Sequence, residues 1–305
     1  MLWFERFDLR AAEELPELDY VKDEPMSRHT SFRIGGPARR MAYPKTGEEL
    51  SRVLHLAKEC GAEVFLLGNG TNLLVADEGL DRLVVDTTKY LQKIELMEDG
   101  VTIRAEAGAS LAAIAVFAWK NSLMGLEFAH GIPGSLGGAV VMNAGAYNGT
   151  MDQVVTKVTA LMPDGDIRTL TGEELDFRYR HSVFSDCDAV VLSAELQLAH
   201  GDEAGIRAEM DDLMQRRRSS QPLEFPSAGS TFKRPVGHFA GALIEKNGFK
   251  GVRVGGAEVS EKHAGFVINR GDATCADVLA LMEQIRSTIL EKDGVEIEPE
   301  VKIIR

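Results

Sequence analysis

Cysteine is scarce and scattered. Cys60, Cys187 and Cys275 are odd in number and far apart, with no CxxC pair, so neither a disulfide framework nor a cysteine-built zinc site is indicated. A reducing compartment fits that usage, and the metal expectation is none. Basic residues are outnumbered, 34 Lys and Arg against 47 Asp and Glu, giving a net charge of -13. Sequence-independent binding of nucleic acid needs clustered cations that displace counterions from phosphate, and this balance argues against it. Long apolar runs are missing as well: none approaches the roughly 18 residues that cross a bilayer. Glu5, Arg6, Asp8 and Arg10 interrupt the N-terminal segment, so neither signal peptide nor membrane span is expected, and the cytoplasm is the expected location. Internal repeats and low-complexity tracts are absent too. What remains is 305 residues, 44% hydrophobic and 27% charged, enough for two or three structural units with sizeable cores.

Residues 1–27 are acidic and weakly periodic and read as a packed or trailing arm, with order beginning near Phe32. Arg40 to Tyr43 has the pattern of a strand. Thr46, with Glu49 three positions on, reads as a capping box opening a helix that ends at Cys60-Gly61. Leu50, Val53, Leu54 and Ala57 have helical spacing, and Val64 to Leu67 is a short buried strand running into glycine, which completes a strand-helix-strand unit. Strands are expected over Arg82 to Asp86, Gln92 to Met97 and Val101 to Ala105, the last two joined by a turn at Glu98-Asp99-Gly100. Ser110 caps a helix reaching about Asn121. Strands resume from Gln153, and Val190 to Leu198 precedes a helix from about Ala204 to Arg218. Ser219 to Pro226 reads as a linker, followed by helices near Ala240 to Asn247 and Cys275 to Lys292. In the latter, Val278, Leu281, Met282, Ile285 and Ile289 form one stripe and Gly294 is the stop. Val295 to Ile304 alternates apolar and polar residues, the pattern of a closing strand. The fold class is α+β with mixed sheets.

Three groups of residues carry chemistry. Gly68-Asn69-Gly70-Thr71-Asn72 follows the strand Val64 to Leu67, where glycines let backbone N–H groups converge on a phosphate. It is not a Rossmann fingerprint, because Leu73 stands where the third glycine belongs, and by itself it also suits a plain turn. Gly131 to Gly149 holds six glycines in nineteen residues, interleaved with Val140, Val141 and Met142, a density suited to close approach by a phosphate or a ring. The third group is dispersed: Tyr179-Arg180-His181-Ser182, Gly229-Ser230-Thr231-Phe232-Lys233 and Glu298-Pro299-Glu300-Val301. Each of these is weak alone. Arg216-Arg217-Arg218 also suits a phosphate, but cations at a helix C-terminus complement its dipole without any ligand.

Taken in order, these segments are similar to the UDP-N-acetylenolpyruvoylglucosamine reductase family of bacterial peptidoglycan synthesis. The likeness runs from His29 to the C-terminus: His-Thr-Ser-Phe-Arg-Ile-Gly-Gly-Pro (29–37), Gly-Asn-Gly-Thr-Asn (68–72), Gly-Leu-Glu-Phe-Ala-His-Gly-Ile-Pro-Gly-Ser (125–135), Asn-Ala-Gly-Ala-Tyr (143–147), Tyr-Arg-His-Ser (179–182), Gly-Ser-Thr-Phe-Lys-Arg-Pro (229–235) and Glu-Pro-Glu-Val (298–301). The length resembles the shorter family form, which lacks an extra tyrosine-bearing loop over the substrate. Asn148 and Thr150 depart from the commoner Gly-Gly-Glu after Ala-Tyr.

The resemblance implies a two-part FAD-binding domain of the covalent-flavin-oxidase-like (PCMH-type) α+β fold, followed by an α+β substrate domain. The implied division is an arm at 1–27, a first FAD-binding part at 28–85 with 295–305, a second at 86–202, and the substrate domain at 203–294. Non-covalent FAD would lie against Gly68, Asn69, Gly70, Thr71, Asn72, Gly131, Ile132, Pro133, Gly134, Ser135, Gly138, Asn143, Ala144 and Gly145. Tyr179, Lys233 and His263 would face the UDP-linked amino sugar, and Arg180, Ser230 and Glu300 would be catalytic, with NADPH as reductant. An enolpyruvyl ether conjugated with its carboxylate accepts hydride from flavin N5 as charge develops at the enolate. Arg180 and Glu300 would stabilise that charge, and Ser230 would deliver the proton with help from Lys233 or Arg180. Two other readings stand beside this one: a different flavin oxidoreductase of the same fold, or a non-catalytic nucleotide-binding module that has no need of the three together.

Overall fold

The structure is a computed structural model describing residues 1–305, and the chain forms two compact units, each interrupted in sequence. The first comprises Met1–Lys22, Arg40–Asn69 and Arg82–Arg216; the second comprises Asp23–Arg39, Gly70–Asp81 and Arg217–Arg305. Residues 23–39 and 70–81 fold with the C-terminal part of the chain.

The helices are α1 (Trp3–Glu14), α2 (Gly47–Cys60), α3 (Leu111–Lys120), α4 (Leu136–Val141), α5 (Glu203–Ser220), α6 (Ala240–Lys246) and α7 (Cys275–Asp293). Order thus begins at Trp3, well before Phe32. α1 docks by Phe7 and Ala11 onto the α2 residues Leu50, Val53 and Ala57, so the N-terminal segment is part of a core. Thr46 Oγ1 accepts from Glu49 N at 3.0 Å and caps α2, but the Glu49 carboxylate reaches Lys45 N rather than Thr46 N, so the box is half formed.

A four-stranded sheet runs in the order Asp19–Pro25, Pro37–Tyr43, Leu80–Asp86, Val64–Leu67. The expected strand-helix-strand unit is therefore split, with Leu80–Asp86 lying between its two strands and parallel to Val64–Leu67. A five-stranded antiparallel sheet follows, in the order Ile167–Thr171, Val155–Leu161, Val190–Gln197, Thr102–Glu106, Ile94–Leu96. Ile103 and Ala105, Val158 and Ala160, and Ala194 and Leu196 alternate onto one buried face, which packs with Leu111, Ile114, Ala115 and Ala118 of α3.

In the second unit α7 has the expected stripe: Val278, Leu281, Met282, Ile285 and Ile289 are all buried, each contributing about 1.5–3 kcal/mol. Thr274 and Asp277 form a capping box at its start, and the Asp77 carboxylate, far away in sequence, accepts from Cys275 N (2.8 Å) and Ala276 N (3.2 Å). Burial, reinforced by Asp77, pushes the Cys275 thiol up to about 11, so it is inert. The closing strand shrinks to Lys302–Ile304, which runs parallel to Leu73–Val75. Upstream of it, Pro299 has no N–H, and the backbone of 298–300 turns instead to the loop at 231–233. No helix is long and apolar enough to cross a membrane.

Candidate active site

In the first unit the strand Val64–Leu67 delivers Gly68 and Asn69 to the Gly131–Gly138 segment, and Asn69 Nδ2 donates to Pro133 O at 3.0 Å. That segment is stitched to its neighbours by the bonds Leu111 N to Gly134 O, Leu136 N to Ala109 O and Gly137 N to Ala107 O. Ser135 is 1% exposed, yet its Oγ has no hydrogen-bond partner in the protein. A Cβ on Gly68 would lie 2.5 Å from that oxygen, so the glycine keeps open the space that the hydroxyl faces. A buried hydroxyl without a partner costs about 1–3 kcal/mol. A ligand with strong hydrogen-bonding oxygens, such as the pyrophosphate of FAD, relieves that cost, and the residues fit such a group.

The remainder of Gly68–Asn72 lies in the second unit and is occupied differently. A Cβ on Gly70, whose φ is +60°, would stand 2.0 Å from His29 O, so this glycine is required by its own chain. Asn72 Nδ2 donates to Glu300 O at 3.0 Å, and Lys302 N donates to Asn72 O at 2.9 Å. Asn72 thereby anchors the backbone that carries Glu300. Thr71 joins these two in the same turn and is half-buried.

The third group divides between the units. Ser230, Lys233, His263 and Glu300 belong to the second. Thr231 O accepts from Glu300 N at 2.8 Å, Lys233 N donates to Glu298 O at 2.8 Å, and Phe232 pairs with Pro299. This short antiparallel pairing sets Glu300 opposite Thr231, the residue next to Ser230, and both Ser230 and Glu300 are half-buried. Thr231 Oγ1, buried, accepts from Val267 N and fixes the loop, a role nothing in the sequence signals. The Lys233 ammonium pairs with Glu298 at 3.0 Å on the surface. His263 Nδ1 accepts from Gly265 N at 3.1 Å, which leaves the neutral ring's proton on Nε2, and its edge meets Phe266. Burial, with Lys250 nearby, lowers its pKa, so the ring is a neutral donor at pH 7.

Tyr179 and Arg180 belong to the first unit. Arg178 and His181 exchange both backbone hydrogen bonds, which leaves Tyr179-Arg180 at the tip of a two-residue turn with Arg180 at φ +55°. The Arg180 guanidinium lies 5.4 Å from the centre of the exposed Tyr179 ring. Asn143, Ala144 and Gly145 follow α4, and Tyr147 and Asn148, both at positive φ, close the hairpin that pairs Ala146 with Gly149. Asparagine tolerates that conformation, which accounts for its presence at 148.

Comparison with known proteins bears on the whole chain. Residues 38–171 match the family model of an FAD binding domain, and residues 221–304 match that of the UDP-N-acetylenolpyruvoylglucosamine reductase C-terminal domain. The UDP-N-acetylenolpyruvoylglucosamine reductase of Agathobacter rectalis is 49% identical over 302 residues, which cover 96% of each chain. The chain belongs to the UDP-N-acetylenolpyruvoylglucosamine reductase family. The reductase of Caldanaerobacter subterraneus subsp. tengcongensis is also 49% identical, with 96% of each chain covered. The crystal structure of the Thermus caldophilus reductase is 33% identical with a TM-score of 0.80, covering 95% of this chain and 99% of that one. The likeness seen in the dispersed motifs therefore extends to the reductase fold as a whole.

Proposed function

We propose that this protein reduces the enolpyruvyl group of UDP-N-acetylglucosamine enolpyruvate to the lactyl ether, giving UDP-N-acetylmuramate for peptidoglycan synthesis, with NADPH as reductant. The observation that supports the reading is the pairing of 231–233 with 298–300, which braces the backbone next to Ser230 and at Glu300. A non-catalytic nucleotide-binding module has no use for that arrangement.

Residues 28–202, with 295–305, hold FAD in this reading, and 203–294 hold the sugar nucleotide. Gly68, Asn69 and Gly131–Ser135 would supply the cradle, where the orphaned Ser135 hydroxyl would serve a phosphate oxygen. When bound, FAD supplies the hydride that it has received from NADPH. The protein's own groups do the rest. Arg180 is a fixed cation against the charge that develops on the substrate carboxylate, and Glu300, as the protonated acid, donates a hydrogen bond to the same group. Ser230 Oγ donates one proton to the carbon bearing the ether oxygen. Lys233, which pairs with Glu298 on the surface, and Arg180 are the two candidates to make the serine acidic. His263 donates from Nε2 to the nucleotide portion, and Tyr179 lies against the sugar. The reaction takes place in the cytoplasm, where nucleotide-linked precursors are made.

Stopped-flow absorbance of Ser230→Ala tests the assignment. Flavin bleaching by NADPH is expected at the wild-type rate, while re-oxidation by the enolpyruvyl substrate falls roughly 10²- to 10⁴-fold, the range for losing a positioned general acid. Glu300→Ala should impair the same half. Wild-type re-oxidation in Ser230→Ala makes Ser230 an ordinary loop serine, and failure of the NADPH half removes support for its role as proton donor.

A further inference from the structure

The turn that presents Arg180 is clamped at both feet to one short segment. Ser182, 0% exposed, donates from Oγ to Val141 O at 2.9 Å. Ser185 Oγ donates to the same carbonyl and accepts from Ser182 N. At the other foot Asn143, 5% exposed, donates from Nδ2 to Arg178 O at 3.2 Å while its Oδ1 accepts from Asp152 N at 3.0 Å. Asn143 can do this because it ends α4: it sits at φ +40°, with Ala144 N bonded to Ala139 O and Asn143 N to Val140 O, a Schellman stop with asparagine at the left-handed position. Residues 141 and 143 therefore grip residues 182 and 178 on either side of the Tyr179-Arg180 tip. Arg180 is itself a non-glycine residue in the left-handed region, a conformation that persists only where the surroundings impose it.

We infer that Asn143 and Ser182 are positioning residues: by clamping the Arg178–His181 turn to the end of α4 they hold the Arg180 guanidinium in its working place. The inference rests on the reading that Arg180 stabilises the developing enolate. It also gives Asn143 a role besides contact with the flavin, because each end of its amide makes a bond within the protein. An electrostatic stabiliser acts through preorganisation, so a turn that wanders by about 1 Å loses roughly 10²-fold without any loss of binding groups.

The test uses the flavin-loaded enzyme and two single variants. Ser182→Ala deletes one buried hydroxyl. Asn143→Asp keeps an acceptor for Asp152 N and tolerates positive φ, but it sets an oxygen against Arg178 O where a donor stood. Ser182→Ala is expected to retain flavin and the wild-type rate of reduction by NADPH, and both variants are expected to slow re-oxidation by the enolpyruvyl substrate by roughly 10- to 100-fold, mostly in kcat. In an Arg180→Ala background the same changes should cause no further slowing, because there is nothing left to position. Slowing that persists undiminished without Arg180 overturns the inference, as does wild-type re-oxidation in both variants. Loss of flavin or of the NADPH half-reaction in both makes the bonds structural and overturns it equally. If only one variant loses flavin, the other decides. Arg180→Ala alone separates the two levels: if it re-oxidises normally, the reading of Arg180 fails. If it is impaired while the clamp variants are not, only the clamp fails.

Discussion

Glycines of the two glycine-rich motifs serve different masters, and their surroundings distinguish them. A Cβ at Gly134 would meet only Ile132 Cγ2 at 3.8 Å and Leu111 Cδ1 at 3.9 Å, ordinary contacts, and its φ is not positive. Gly134→Ala should therefore leave the thermal midpoint unchanged while lowering the flavin retained per chain, measured from the absorbance released on denaturation. Unchanged flavin content would remove Gly134 from the cradle. Gly70→Ala should do the reverse, because a Cβ 2.0 Å from His29 O at φ +60° strains the second unit directly. Placing alanine in the left-handed region alone costs about 1–2 kcal/mol, and the clash adds to it, so a lowered midpoint is the expected signal. The spacing in Gly68–Asn72 pointed to a phosphate loop. It carried no sign that Asn72 holds Glu300, because that bond joins residues 228 positions apart.

At the scale of elements, α1 illustrates a helix held by charge as well as apolar contact. Arg40, 6% exposed, donates to both oxygens of Asp8 at 2.7 Å. Burial works to raise the Asp8 carboxyl, but hydrogen bonds from Arg40 and Lys22 outweigh it and hold its pKa below the usual carboxylate value. Asp8→Ala, which leaves a buried guanidinium without its bidentate partner, should cost about 3 kcal/mol, read from denaturant unfolding. A change within 0.5 kcal/mol, roughly what a typical surface substitution causes, would reduce the pair to an incidental contact. Because the folded pKa is depressed, the pair's contribution is complete above the unfolded value of 3.8 and is lost as pH falls through the folded one. Periodicity located α2, α3 and α7 to within a residue or two, since their apolar stripes and caps are local. It missed the break in the C-terminal strand, because Val295 to Val301 alternates whether or not its backbone finds a partner strand.

Over the whole molecule, two half-buried imidazoles, one in each unit, couple stability to pH. Burial, helped by the charge of Arg207, lowers the pKa of His130, whose Nδ1 has no partner, and burial likewise lowers that of His263. The unfolded chain takes up these protons near the ordinary value of 6.5, whereas the folded chain does so only at lower pH. Their effect is absent above about pH 7 and destabilises progressively as pH falls from about 6.5 toward the folded values. Denaturant midpoints should decline between about pH 7 and 5, and the decline should flatten in His130→Gln and His263→Gln. An unaltered slope in both would mean that neither ring is protected as its burial implies.

Short-range regularities located α2, α3, α5, α6 and α7 and marked out the glycine-rich stretches, because caps, stripes and turns are decided by neighbours within a few residues, but they missed α1 and α4. The dispersed motifs, through their resemblance to a known family, also pointed to the chemistry. Only the tertiary structure decided that Gly68 faces an orphaned Ser135 hydroxyl, that Thr231 and Asn72 brace Glu300, and that Asn143 and Ser182 clamp the turn of Arg180. Each of these joins residues tens to hundreds of positions apart through a single hydrogen bond or a single forbidden Cβ. Such contacts leave no periodic trace in a chain, since any residue type that can donate, accept or stay small satisfies them equally well in the sequence, and only the fold determines which one meets its partner.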